Sequence, residues 1–193
     1  TLPVETRGVV HRSALVGSHL GASCAHVELH LHQTSITEVH VEAGHAKAGA
    51  TQLLPGQGLL GLMDEVAEQI AEQFVAQTRF DPQRRAETEQ VLYEKIPELL
   101  QALSAQSEVS CTIEGHTALV SADALRSVGE ALSRVISPLL PAGTEHVALD
   151  ALLSTLPGLT FSHASSDRLS SALPLSTSLQ SLRSSAASMQ PNA

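Results

Sequence analysis

From His26 to Glu42 the chain alternates apolar and polar residues with a period of two, which only an extended backbone can turn into an apolar and a polar face. Val27, Leu29 and Leu31 fall on one side, His26, Glu28, His30 and His32 on the other. A polar break, Gln33-Thr34-Ser35, separates this run from a second in which Val39 and Val41 oppose Glu38, His40 and Glu42. Ala43-Gly44 closes the second run, so the pair reads as a β-hairpin. A third extended piece, Ala50 to Leu54, ends at Pro55-Gly56.

The period then changes to that of a helix. Between Met63 and Phe80 a stripe of Val66, Ala67, Ile70, Ala71, Phe74 and Val75 is set against Glu65, Glu68, Glu72 and Gln73, which face away. Asp81-Pro82 restarts the chain, with Asp as an N-cap and Pro at the first helical position. A second helix follows, carrying Leu92, Ile96, Leu99 and Leu103. Pro97 is expected to kink or split it near Lys95. Val109, Cys111 and Ile113 alternate into Glu114-Gly115 and Thr117 to Val120 leave it, predicting a second hairpin. Ser121 then caps a third helix with Leu125, Val128, Leu132, Val135, Ile136 and Leu139 on its stripe. Short strands are expected at Val147 to Leu149 and Leu159 to Phe161, with a helical turn to Leu156 between them. A closing helix is expected to about Arg183, and a disordered Ser-rich tail after it, residues 186–193.

Composition narrows the function classes. A hydrophobic fraction of 42% excludes wholesale disorder, and no apolar run approaches the roughly 18 residues that a membrane-spanning helix needs. Eleven basic residues against twenty acidic ones leave a net charge of −9, and there is no Trp. Nucleic acid is therefore not an expected partner, since phosphates need clustered cations and bases need aromatic platforms. Two cysteines without a CxxC fit a reducing compartment, so a cytoplasmic protein is the expectation. The chain begins at Thr1, which suggests a processed or excised piece.

The order of elements, hairpin, third strand, long helix, charged helix, hairpin, helix, short strand and closing helix, resembles the second lobe of the actin-like ATPase superfamily, closest to DnaK-type heat-shock chaperones. The likeness is carried by Ala71-Glu-Gln-Phe-Val-Ala-Gln-Thr-Arg-Phe80 and by Glu108-Val-Ser-Cys-Thr-Ile-Glu-Gly115 with the helix after Ser121. It implies an α/β fold, a mixed sheet with packed helices, whose base is discontinuous (residues 1–81 and 143–185). Residues 82–142 would form an inserted helix–hairpin–helix upper subdomain. It also implies a Mg-ATP site. Yet the stretch matching the family's phosphate turn, His30-Leu-His-Gln-Thr-Ser-Ile-Thr-Glu38, lacks its Asp and glycines and keeps only Thr34 and an acidic residue at Glu38. The adenosine loop, Leu149-Asp-Ala-Leu-Leu-Ser154, has no glycine either. Backbone approach to a phosphate or purine needs residues without a Cβ.

These departures lead to a non-catalytic protein-interaction unit, a lobe with a decayed or incomplete nucleotide site, not expected to hydrolyse ATP alone. Partners would engage residues 82–142 or the face around His30 to Thr34, and an apolar face left without its sister lobe would favour self-association. The alternative is an excised lobe of a chaperone-type ATPase, in which Thr34, Glu38, Gly56 and Gly58 lie nearest the phosphates. A second alternative is a metal-binding protein: His26, His30, His32 and His40 offer an N/O set for zinc if they share a strand face. Gly56-Gln-Gly-Leu-Leu-Gly61 matches the dinucleotide fingerprint, but the strand before it is short and ends in Pro55, so a turn into a packed helix is favoured. Cys24-Ala-His26 places a thiol and an imidazole on one strand face without a third orienting group.

Overall fold

A computed structural model describes residues 10–161 and, as backbone only, residues 165–168. The chain runs α1 (Arg12–Leu20), β1 (Cys24–Leu29), β2 (Gln33–Glu42), β3 (His45–Pro55), α2 (Leu59–Thr78), α3 (Ala86–Leu103), β4 (Glu108–Ile113), β5 (His116–Ser121), α4 (Ala122–Ile136), β6 (His146–Leu149), α5 (Ala151–Thr155) and β7 (Ser165–Arg168). Five strands form one mixed sheet in the order β3-β2-β1-β6-β7, and β4 and β5 form a second, two-stranded sheet. β1 pairs antiparallel with β2 and parallel with β6, and β6 runs parallel with β7. No described helix is long and apolar enough to cross a membrane.

The alternating run folds as an antiparallel hairpin, but its turn occupies residues 30–32 instead of 33–35. β3 is also longer than its apolar stretch suggests, because pairing continues through Ala46 and Lys47 to the Ala43-Gly44 turn. Both residues of that turn have positive φ (48° and 79°), as do Glu114 and Gly115 (46° and 80°) in the second hairpin. This is the two-residue turn whose twist matches that of its strands.

β1 is the central strand and is covered on both faces. Ala25 and Val27 enter the main core beside Ile36, Val66, Ile70 and Phe74. Cys24 joins Val16, Val39 and Ala148 on the opposite face, under α1. The polar side of this strand is therefore buried as well: His26 and Glu28 are 0% and 7% exposed. α1 itself is short. The His11 imidazole accepts from the Ser13 N–H at its start, and Gly21, at φ 69°, ends it in the left-handed conformation.

α2 carries its expected stripe inward, except that Val75 is exposed. Gln73 does not face away. Its side-chain oxygen accepts from Ser121 N–H at 3.0 Å, while Gln77 both donates to Leu119 O and accepts from Leu119 N–H, each at 2.8 Å. The two amides satisfy the edge of β5 and tie the second sheet to α2. Asp81 caps a 3-10 turn (Pro82–Arg84) before α3. α3 runs unbroken through Pro97, because the packing of Ile96, Leu99, Leu100 and Leu103 outweighs one lost backbone bond. Ser121 accepts from Ala124 N–H at 3.2 Å and caps α4, as expected.

Leu159 to Phe161 is not a strand. That segment lies along α4, with Thr160 N–H donating to Ser133 Oγ at 3.0 Å and with Leu159 and Phe161 buried, so it finds a helix to cover in place of a strand to pair with. The fifth strand is Ser165–Arg168, inside the stretch expected to be helical. The rest of that expected helix and the Ser-rich tail lie outside the described residues. One apolar cluster runs from Val27 of the main sheet through Phe74 to Ile113 and Val120 of the second sheet.

Candidate functional site

Ligands of open α/β sheets bind outside the carboxyl ends of parallel strands, here the ends of β1 and β6. Three segments meet there: the β1–β2 turn (residues 30–32), the β3–α2 loop around Gly56 and Gly58, and Asp150 at the end of β6. Thr34, Gly56 and Gly58 do come together at this point, but the Thr34 hydroxyl and the Gly56 N–H are bonded within the chain itself. Thr34 is fully buried and donates its hydroxyl to Gln57 O at 2.5 Å. Gly56 N–H donates to His32 O at 3.0 Å. The first two amides of α2, the groups a helix N-terminus offers to an anion, are taken: Leu59 N–H donates to His30 O at 2.8 Å and Leu60 N–H to Leu31 O at 3.1 Å.

The glycines have the same origin. Gly58 is extended (φ −121°, ψ −179°), a conformation open to any residue. A Cβ there would come within 2.5 Å of backbone atoms of His32 and Gln33, so the residue is glycine because the loop rests on the turn. Gly56 has φ 78° and makes the left-handed corner out of β3. The fingerprint Gly56–Gly61 thus serves to dock a loop onto a hairpin.

Asp150 closes the crevice from the other side. Its carboxylate accepts from Leu29 N–H at 2.9 Å, across the carboxyl end of β1, and pairs with Arg12 at 2.7 Å. Arg12 also meets Glu28 at 3.1 Å. Behind them Ser13 Oγ lies 3.0 Å from His26 Nδ1 and 3.4 Å from Glu28 Oε2, and His26 Nδ1 is 3.6 Å from Glu28 Oε2. His26 Nε2 is buried without a partner. Burial lowers the His26 pKa below the ordinary histidine value. The carboxylates of Glu28 and Asp150 oppose this, and Arg12 and His11 reinforce it. Ser13, His26 and Glu28 do not make a nucleophilic triad, because the hydroxyl and the carboxylate share one imidazole nitrogen and the group is buried.

Glu38 is not part of this site. It pairs in register with Ala25, about 13 Å along β2 from Thr34, toward the other end of the sheet. With His40 it lines a hollow of about 280 Å³ that also takes in Glu145 and His146. The expected histidine set is likewise dispersed. β1 ends at Leu29, so His30 and His32 do not continue the face of His26. His30 Nε2 bonds Ser35 Oγ at 2.8 Å, His32 is exposed at the turn, and His40 Nε2 lies 3.5 Å from Glu38. Among the described residues no three His, Cys, Asp or Glu side chains converge to hold a metal. Cys24 is buried, and burial raises the Cys111 thiol above its ordinary pKa, which makes it a poor nucleophile.

Beneath the Gly56–Gly58 loop a smaller cleft of about 140 Å³ opens between α2 and α4, lined by Leu29, Gly61, Leu62, Leu132 and Val135 with Glu65 as its one charge. Among the described residues its walls offer no cation to a phosphate. The sequence reading missed α1, and with it Arg12 and Ser13, as well as the reach of Asp150 over β1. A signal for α1 was present in Ser13, Val16, Gly17 and Leu20, spaced three and four apart before Gly21. No protein-family model matches the chain, and no curated protein matches it.

Proposed function

We propose that this chain is a protein-interaction unit without catalysis of its own, an actin-like or DnaK-like lobe whose nucleotide site has decayed, with residues 82–142 as its upper subdomain and the cytoplasm as its setting. One observation carries the reading. Three donors at this point, Leu59 N–H, Leu60 N–H and the Thr34 hydroxyl, are bonded to the chain's own carbonyls. The carboxylates of Asp150 and Glu28, near the same strand end, add charge of the sign a phosphate avoids. Leu31 and Leu60, whose backbones are bonded to each other at this edge, are about half exposed and give a protein partner apolar area.

The convergence of Thr34, Gly56 and Gly58 favours a second reading, an excised ATPase lobe that a sister lobe would complete. Thermal unfolding with and without millimolar Mg·ATP tests whether the lobe as it stands binds nucleotide. A ligand at a hundred times its dissociation constant adds about 2.7 kcal/mol, a rise of roughly 5–10 °C for a chain of this size. The expected shift is none. A rise of that order overturns the non-catalytic reading.

A further inference from the structure

α1 is held to the sheet by little apolar contact. The cluster beneath it contains Val16, Cys24, Val39 and Ala148, with Leu20 at its margin, whereas the other face of the sheet carries the main core. Ala14 and Gly17, the latter seated close on Val39, Val41 and Ala46, add small contacts, and the polar part of the attachment is the network around His26. Facing that imidazole are Glu28 from its own strand, Arg12 and His11 from α1, and Asp150 from the end of β6. β2 places Thr37 beside it and β6 places Ala148, neither of them charged.

The bonding suits a neutral ring. Nδ1–H donates to Ser13 Oγ, and the Ser13 hydroxyl donates on to Glu28 Oε2. Nε2 then carries only a lone pair, and it is the one described side-chain atom that is buried without a partner. A second proton would go there, creating a buried charged donor with nothing to accept from it, which is far costlier than a bare lone pair. Glu28 and Asp150 cannot fully compensate, because Arg12 already bridges both.

We propose that α1 is a pH-operated cover on the sheet, docked while His26 is neutral and released as the pH falls through the range in which a free imidazole takes up its proton, exposing the face that holds Cys24 and Val39. The direction follows from linkage. His26 resists protonation when docked and titrates near 6.5 when released, so the released form binds the extra proton. Docking is therefore at full strength above about pH 6.5 and weakens by up to tenfold per pH unit below it, until the docked ring itself titrates.

The test uses the full chain and the buried Cys24 as reporter. Labelling by a dithiodipyridine, which reacts with thiols in mild acid, is followed by peptide mass spectrometry, with rates normalised to a model thiol at each pH. Between pH 7.5 and 5.5 the protection of Cys24 is expected to fall severalfold, by at most about tenfold. Cys111, buried in the main core, should keep its protection. In His26→Gln the pH slope at Cys24 should flatten, whatever the absolute rate. Constant Cys24 protection, a parallel loss at Cys111, or an unchanged slope in His26→Gln each overturns the proposal. If that variant does not fold, an NMR titration of the wild-type His26 ring decides: a neutral ring at pH 5.5 in the docked state supports the cover, and a protonated one overturns it.

Discussion

Gly58→Ala separates a glycine that serves a ligand from one that serves the fold. Because Gly58 sits at φ −121°, alanine fits its backbone without strain. If the residue were glycine only to let a phosphate approach, the substitution would leave the free protein unchanged or stabilise it by about 0.4–1 kcal/mol, through the lower entropy of the unfolded chain. The structure predicts the opposite sign. The new Cβ would come within 2.5 Å of His32 Cα, and ordinary contact begins at 3.4 Å, so the loop has to retreat by about 1 Å. The two nearest bonds, Leu59 N–H to His30 O at 2.8 Å and Leu60 N–H to Leu31 O at 3.1 Å, would then stretch beyond hydrogen-bonding range. At about 0.5–1.5 kcal/mol each, less the unfolded-state gain, the net cost is about 1 kcal/mol. That is a midpoint lower by roughly 2–4 °C in thermal unfolding followed by circular dichroism without nucleotide. An unchanged or raised midpoint refutes the account of the loop as a strut.

Two helical glycines should respond with opposite signs. Gly61→Ala meets nothing nearer than Gly56 O at 3.8 Å and should raise stability by about 0.5–1 kcal/mol, whereas Gly129→Ala would drive a Cβ to within 2.5 Å of Leu159 N and should lower it by about 1–3 kcal/mol. Urea unfolding of the pair checks the contact between α4 and the Pro157-Gly158 loop, which equal shifts would contradict. Asp150→Ala removes the acceptor for Leu29 N–H and a partner of Arg12 and should cost about 1–3 kcal/mol. Asp150→Asn keeps an acceptor and loses a pair whose Arg12 side is 61% exposed, so it should cost well under half as much. Matching urea midpoints for the two would mean that Asp150 does not close the crevice.

What the sequence determined by itself was local. The alternation from His26 to Glu42, the stripe from Val66 to Phe74, the Glu114-Gly115 turn and the Ser121 cap each depend on residues within a few positions of one another, and each formed. What lay beyond reach depends on pairing across distance. Alternation marks a strand but not how many faces are covered, so the burial of His26 and Glu28 is set by α1, a short helix with a weak apolar stripe that packs on this face. Gln73 reads as polar surface because nothing local announces that a strand edge 42–48 residues later needs its amide and that of Gln77. The site divided the same way. The family resemblance pointed to Thr34, Gly56 and Gly58, which do converge, and to Glu38, four residues further along the same strand, which does not. Only the tertiary structure decided what the converged groups do. A donor is available to a ligand or consumed by the chain according to which carbonyl lies opposite it, and for Leu59, Leu60 and Thr34 that carbonyl belongs to a segment brought there by the packing of the loop on the hairpin.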